Sequence, residues 1–232
     1  MYHAPRQTLP VQMPIMPLNS VLFPGMPMPL FLFEQRYRNM IECCLEEESR
    51  TFGVALLRDD PLGLGQSTPC EIGTVATIVR ALELDEGGVH VMAVGTRRFR
   101  MLTLLQDEPY LTASVELLDD EEQGAAPCEL LDELREMFEE YLRLLLQFMG
   151  QTDMELSIPD SALRLSYMVA AHLGCPLQAR QRLLEMDNLS ERLVHEKQLL
   201  ESESAEYRML LTARRKHDRM IERTSKELFS NN

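Results

Sequence analysis

The 232-residue chain is 45% hydrophobic and 26% charged, with a formal net charge of −14 and an isoelectric point near 4.8. Those proportions suit a soluble globular chain with one large core or two small ones. The acidity argues against a general nucleic-acid binder, which needs a basic face to release counterions.

Residues 1–12 read as a flexible lead-in. The start Met-Tyr-His-Ala-Pro-Arg lacks the charged and then apolar pattern of a secretory signal. From Val21 to Phe33, thirteen residues pass without a charge. Pro24, Pro27 and Pro29 forbid a continuous helix or a central strand there. The stretch is too short and too proline-rich to span a bilayer, so no membrane role and a cytoplasmic setting are expected. It reads as a buried strand, a type II turn at Pro24-Gly25, a second short strand and a helix start.

Phe33, Tyr37, Met40, Ile41, Cys44 and Leu45 recur at three- and four-residue spacing, which predicts an amphipathic helix packed on a sheet. Around it the text is strand-like: Phe52 to Leu57, Cys70 to Leu84, Val89 to Val94, Leu102 to Leu105 and Leu111 to Leu118. Asp59 to Pro69 reads as a loop, and Asp85-Glu86-Gly87-Gly88 as a hairpin turn. The acidic run Asp119 to Pro127 marks a change from period two to period 3.6, and divides 13–119 from 127–232.

The second half is helical. Leu130, Leu131, Leu134, Met137, Phe138, Tyr141, Leu142, Leu145 and Phe148 stripe a helix ending near Gly150. Asp160 is a candidate cap for a helix reaching Leu173, and Pro176 suits the first turn of another. Leu193, Leu200, Tyr207, Ile221 and Leu228 share a heptad position in a helix from about Leu189 to Phe229, roughly 60 Å long at 1.5 Å per residue. Glu196, Glu203 and His217 are poor seam residues, so the first half of that helix is expected to pack on its predecessors rather than form a coiled coil. Asp119 to Tyr207 holds 20 acidic and 7 basic residues, whereas Arg208 to Lys226 holds 7 basic and 2 acidic ones. The basic stretch either offsets the helix macrodipole or docks an acidic partner.

No residue set here points to catalysis, a cofactor or a metal. Lysine occurs only at Lys197, Lys216 and Lys226, and no P-loop run is present. His3, His90, His172, His195 and His217 are scattered without H-E-x-x-H, and there is no G-x-S-x-G. Gly63-Leu64-Gly65 is too short for a dinucleotide fingerprint. The five cysteines, Cys43, Cys44, Cys70, Cys128 and Cys175, form no C-x-x-C pair and read as reduced, mostly buried thiols.

Four stretches carry a resemblance: Pro17 to Arg38, Cys70 to Ile78 (Cys-Glu-Ile-Gly-Thr-Val-Ala-Thr-Ile), Val94 to Arg100 (Val-Gly-Thr-Arg-Arg-Phe-Arg) and Pro109 to Ala113 (Pro-Tyr-Leu-Thr-Ala). Together with a looser likeness at Gln181 to Glu185 and Glu191 to Leu193, they resemble the N-terminal substrate-binding domain of Lon proteases over about residues 13–205. The resemblance implies an α+β fold, with a β-rich, PUA-like part of twisted mixed sheets around one helix followed by an α-helical bundle. It also implies recognition of unfolded or degradation-marked proteins by a non-catalytic module, since neither the ATPase nor the Ser-Lys proteolytic module is matched. A proteolysis adaptor is one form of that role; a structural or regulatory protein binding one folded partner, or itself, through the long helix is the alternative. Arg97, Arg98 and Arg100 straddle Phe99 on a strand; Arg97 and Arg98 point to opposite faces, with Glu34 or Glu71 as the expected partner of one of them.

Overall fold

The computed structural model describes residues 9–58, 68–85, 87–106, 108–120, 127–151 and 157–230, with side chains to residue 221. Residues 59–67 of the loop expected from Asp59 to Pro69, the turn residue Glu86, the acidic stretch 121–126, His3 and Leu228's side chain lie outside the described residues. No helix among those described is long and apolar enough to cross a membrane.

Six strands, β1 (Val11–Leu18), β2 (Pro27–Leu32), β3 (Thr51–Leu56), β4 (Ile72–Glu83), β5 (Val89–Gln106) and β6 (Thr112–Leu117), form one sheet in the order β2-β5-β4-β3-β1-β6. The pair β1–β3 is parallel and the others antiparallel, so the sheet is mixed. Strand β5 is longer than expected: Val89 to Val94 and Leu102 to Leu105 belong to a single 18-residue strand. Its first half pairs with β2 and β4, and its second half turns to pair with β6, which closes β1, β3, β4, β5 and β6 into a ring. Register shifts at Val75/Ala76 and Met101/Thr103 accompany the bend, as bulges do where a sheet curls.

The ring is filled by Met13, Ile15, Ala55, Val75, Phe99, Ala113 and Val115. Phe99 fits because position 73 is glycine: a Cβ there would stand 2.5 Å from its ring and 2.4 Å from the Val54 carbonyl oxygen. Helix α1 (Gln35–Glu46) packs Met40, Ile41 and Cys44 against Met16, Leu32, Phe52 and Val91 outside the ring, the core role its periodicity implies. Phe33 is the exception. It precedes α1, is 58% exposed, and lies over Gly88.

Helices α2 (Cys128–Met149), α3 (Ala162–His172), α4 (Leu177–Glu185) and α5 (Leu189–Ser230) follow. Gly150 adopts φ 75° and stops α2, as a left-handed C-terminal residue should. The cap of α3 is Ser161 rather than Asp160: its side chain accepts a hydrogen bond from the Arg164 amide at 3.3 Å. A cap must sit immediately before the first helical residue, and Asp160 stands one position too early. Leu193 and Leu200 of α5 are buried against α2 and α3, Tyr207 is half-buried, and Ile221 is exposed. The helical core is continuous with the sheet, because Val21, Phe23, Leu56, Cys70 and Ile72 belong to it. The chain is therefore an α+β protein whose two halves share one hydrophobic cluster.

Candidate functional site

A cleft of about 930 Å³ opens between the Pro24-Gly25 turn and α3. The turn is built as the sequence requires: Gly25 sits at φ 83°, and the Met26 amide donates to the Phe23 carbonyl at 3.0 Å. It is pinned to β5 in both directions. The Gly25 amide donates to the Gly95 carbonyl at 2.7 Å, and the Gly95 amide donates to Met26 at 2.9 Å. Opposite stand Leu163, Tyr167, Met168 and Ala171, one face of α3 at three- and four-residue spacing.

The third wall is ionic. Arg97 donates from Nε to the Leu118 carbonyl at 3.1 Å and also pairs with Asp119. Asp120 receives Arg98 Nε at 2.7 Å on one oxygen and the Tyr167 hydroxyl on the other. Burial pushes the Tyr167 phenol well up, so it stays a donor to Asp120. Arg192 lies over the Tyr167 ring at 4.4 Å. The cleft therefore has apolar walls of Pro24, Met26, Pro27, Leu163 and Met168, and a rim whose acids are already engaged. Such a surface suits an apolar chain segment more than a reaction, and unbranched methionines let the walls adjust to different side chains.

The arginines sit where the alternation placed them but not with the expected partners. Arg98 is buried and Arg97 half-exposed, on opposite faces. Neither meets Glu34 or Glu71: Glu34 pairs with Arg36, Glu71 with Arg58. Arg97 and Arg98 instead reach acids that follow β6, because β6 pairs with the adjoining stretch of β5.

A second apolar surface lies on the outer face of β2, β5 and β4. Phe31 stacks on His90 with ring centroids 4.4 Å apart, and Leu82 stands beside His90 in the next strand. Phe31, Phe33 and Leu82 are exposed. The edge strand β2 lacks amide hydrogens at Pro27 and Pro29, which deprives an incoming strand of two donors.

The remaining sequence candidates do not converge. His172 bonds through Nδ1 to the Met168 carbonyl, and His195 to the Glu191 carbonyl. Cys44 and Cys70 are buried, Cys175 is half-buried, and Cys43 and Cys128 are exposed, so burial of the thiols is less general than expected. Burial pushes the Cys44 thiol up to about 12, which keeps it protonated. Among the described residues no group of three His, Cys, Asp or Glu side chains could hold a metal ion. Sequence reasoning missed the network at Glu196, which is fully buried, accepts from the Ser166 hydroxyl at 2.7 Å and lies 4.0 Å from Arg192. Its signal was a carboxylate set between Leu193 and Leu200 on the side of α5 that packs inward.

Comparisons with known proteins agree with this architecture. The sequence profile of the ATP-dependent protease La (LON) substrate-binding domain matches residues 12–202. The chain is 27% identical to a Lon protease of Erwinia amylovora over 98% of its own length and 29% of the relative's. It is 30% identical to Lon protease 2 of Myxococcus xanthus over 81% of its length and 23% of that protein's. It thus spans less than a third of the curated relatives it matches. Among solved structures, a Lon N-terminal domain protein from Xanthomonas campestris superposes with a TM-score of 0.59 at 28% identity, covering 82% of this chain and 97% of that one. The N-terminal domain of a Mycobacterium avium complex Lon protease shares the fold, with a TM-score of 0.58 at 20% identity, covering 82% of this chain and 98% of that one. The chain belongs to the family of Lon substrate-binding domains.

Proposed function

We propose that the chain is a non-catalytic recognition module that captures unfolded or degradation-marked protein segments in the cleft between the Pro24-Gly25 turn and α3. The family match over residues 12–202 supports substrate recognition. The observation that carries the location is the pairing of apolar methionine and proline walls with a rim whose acids are already committed. Subdomain 13–119 contributes the turn and Arg97, and subdomain 127–232 contributes the α3 wall. The exposed Phe31, Phe33 and Leu82 face extends the contact area, through side chains rather than strand addition. The module acts in the cytoplasm as an adaptor that delivers segments to a protease, needing no cofactor and binding neither nucleic acid nor membrane.

A pull-down with a casein-like unfolded protein and a folded control of similar size tests this reading. Selective retention of the unfolded protein is expected; equal retention of both, or of neither, contradicts it.

A further inference from the structure

Helix α5 outruns the body that supports it. It runs parallel to α2, as three cross-links show: Lys197 to Glu133 at 2.7 Å, Arg208 to Glu140 at 2.8 Å, and Arg214 Nη1 to the Phe148 carbonyl at 3.1 Å. Helix α2 stops at Met149, level with Arg214. The α5 residues beyond Arg214 therefore extend past the end of α2. In that extension Arg215, Lys216 and Arg219 are exposed and have no ion-pair partner among the described residues, and Ile221 is 52% exposed.

The complementary charge is on the same chain but out of reach. Glu129, Asp132, Glu136 and Glu139 recur at spacings of three and four, so they form one stripe on the solvent side of α2. All four are exposed, and none is ion-paired among the described residues. Glu139 lies nine positions before Phe148, about 13 Å back along the helix at 1.5 Å per residue. A straight α5 that passes Phe148 at Arg214 carries Arg215 and Arg219 away from that stripe.

We propose that the α5 extension docks on the acidic α2 stripe of a second copy, and reciprocally, in a two-fold dimer. A two-fold axis uses each complementary surface twice, so both basic extensions and both acidic stripes are satisfied together. Local complementarity sets this register against the mutual repulsion of two chains of net charge −14. That same net charge opposes docking of the extension on an anionic membrane or on nucleic acid.

Sedimentation velocity of the full 232-residue chain across low to high micromolar concentration tests the proposal. A dimer that weakens as salt rises from about 50 to 500 mM is expected, because surface charges are screened at that strength. Two exposed charge reversals separate the surfaces: Arg215→Glu with Lys216→Glu and Arg219→Glu, and Glu129→Lys with Asp132→Lys, Glu136→Lys and Glu139→Lys. Each variant alone should lose at least tenfold in dimer affinity while keeping its helical circular dichroism. An equimolar mixture of the two should form a one-to-one heterodimer. A monomer at every concentration, or a dimer indifferent to both reversals, overturns the proposal.

Discussion

Arg98 on β5 donates from Nε to Asp120 Oδ1 at 2.7 Å, with side-chain exposures of only 3% and 12%. The same guanidinium reaches Asp187 at 3.0 Å and the Leu184 carbonyl at 2.8 Å, both at the α4–α5 junction. One buried cation thus joins the ring, the stretch leading to α2, and the helical half. Burial opposes its charge, but the Asp120 hydrogen bond, Tyr167 and the two carboxylates outweigh that and raise its pKa.

Arg98→Met should therefore destabilise the fold by about 3–5 kcal/mol, because it leaves Asp120 buried without its cation. Arg98→Lys should recover little, since an ammonium cannot reproduce a planar fork reaching three separate groups. Urea denaturation followed by circular dichroism reads both; a lysine variant as stable as the unaltered chain would contradict the account.

Glu196 should give stability a distinct pH dependence. Burial pushes its carboxyl up to about 8, against the opposing pull of Ser166 on α3 and Arg192 on α5. The folded state keeps a proton that the unfolded state releases near pH 4.5. The stabilising contribution is therefore complete below about pH 4.5 and is lost as pH rises through about 8. Glu196→Gln, which stays neutral, should flatten that decline. Urea midpoints measured from pH 5 to 9 check this, and an unchanged slope in the variant would refute it.

Gly25 and Gly73 should respond to alanine for different reasons. At Gly25 a Cβ meets nothing within 4 Å, but φ is 83°, so Gly25→Ala should cost about 1–2 kcal/mol of backbone strain. Gly25→Asn should cost less, because asparagine tolerates the left-handed region. At Gly73 the backbone is ordinary and space is lacking. Gly73→Ala should cost about 1–3 kcal/mol through overpacking on Phe99, and Phe99→Leu should recover part of that loss. Thermal melts of the single and paired variants distinguish the two mechanisms.

Local chemistry made much of this architecture legible in the sequence. Pro24-Gly25 and Gly150 specify a turn and a helix end through their own backbone preferences, and the α2 stripe records which face meets α3 and α5. What escaped detection depends on neighbours far along the chain. Val89 to Gln106 reads as two strands because its bend follows from pairing first with β2 and then with β6. Arg98 could not be matched to Asp120 or Asp187, since β6 and α4 bring those acids to it. The cleft was hidden for the same reason: its walls are separated by more than a hundred residues, and Met168 alone reads as core. Phe33 reads as part of the α1 stripe because a residue just before a helix continues its spacing without sharing its direction.

The cleft itself is tested most directly by fluorescence anisotropy with a labelled, permanently unfolded protein, titrated with the unaltered chain and with Leu163→Glu plus Met168→Glu. Both side chains are only partly buried, so the variant should keep its fold, which circular dichroism can verify. An affinity loss of at least tenfold, equivalent to about 1.4 kcal/mol, is expected. Unchanged affinity in a correctly folded variant would contradict the claim that this cleft captures the segment.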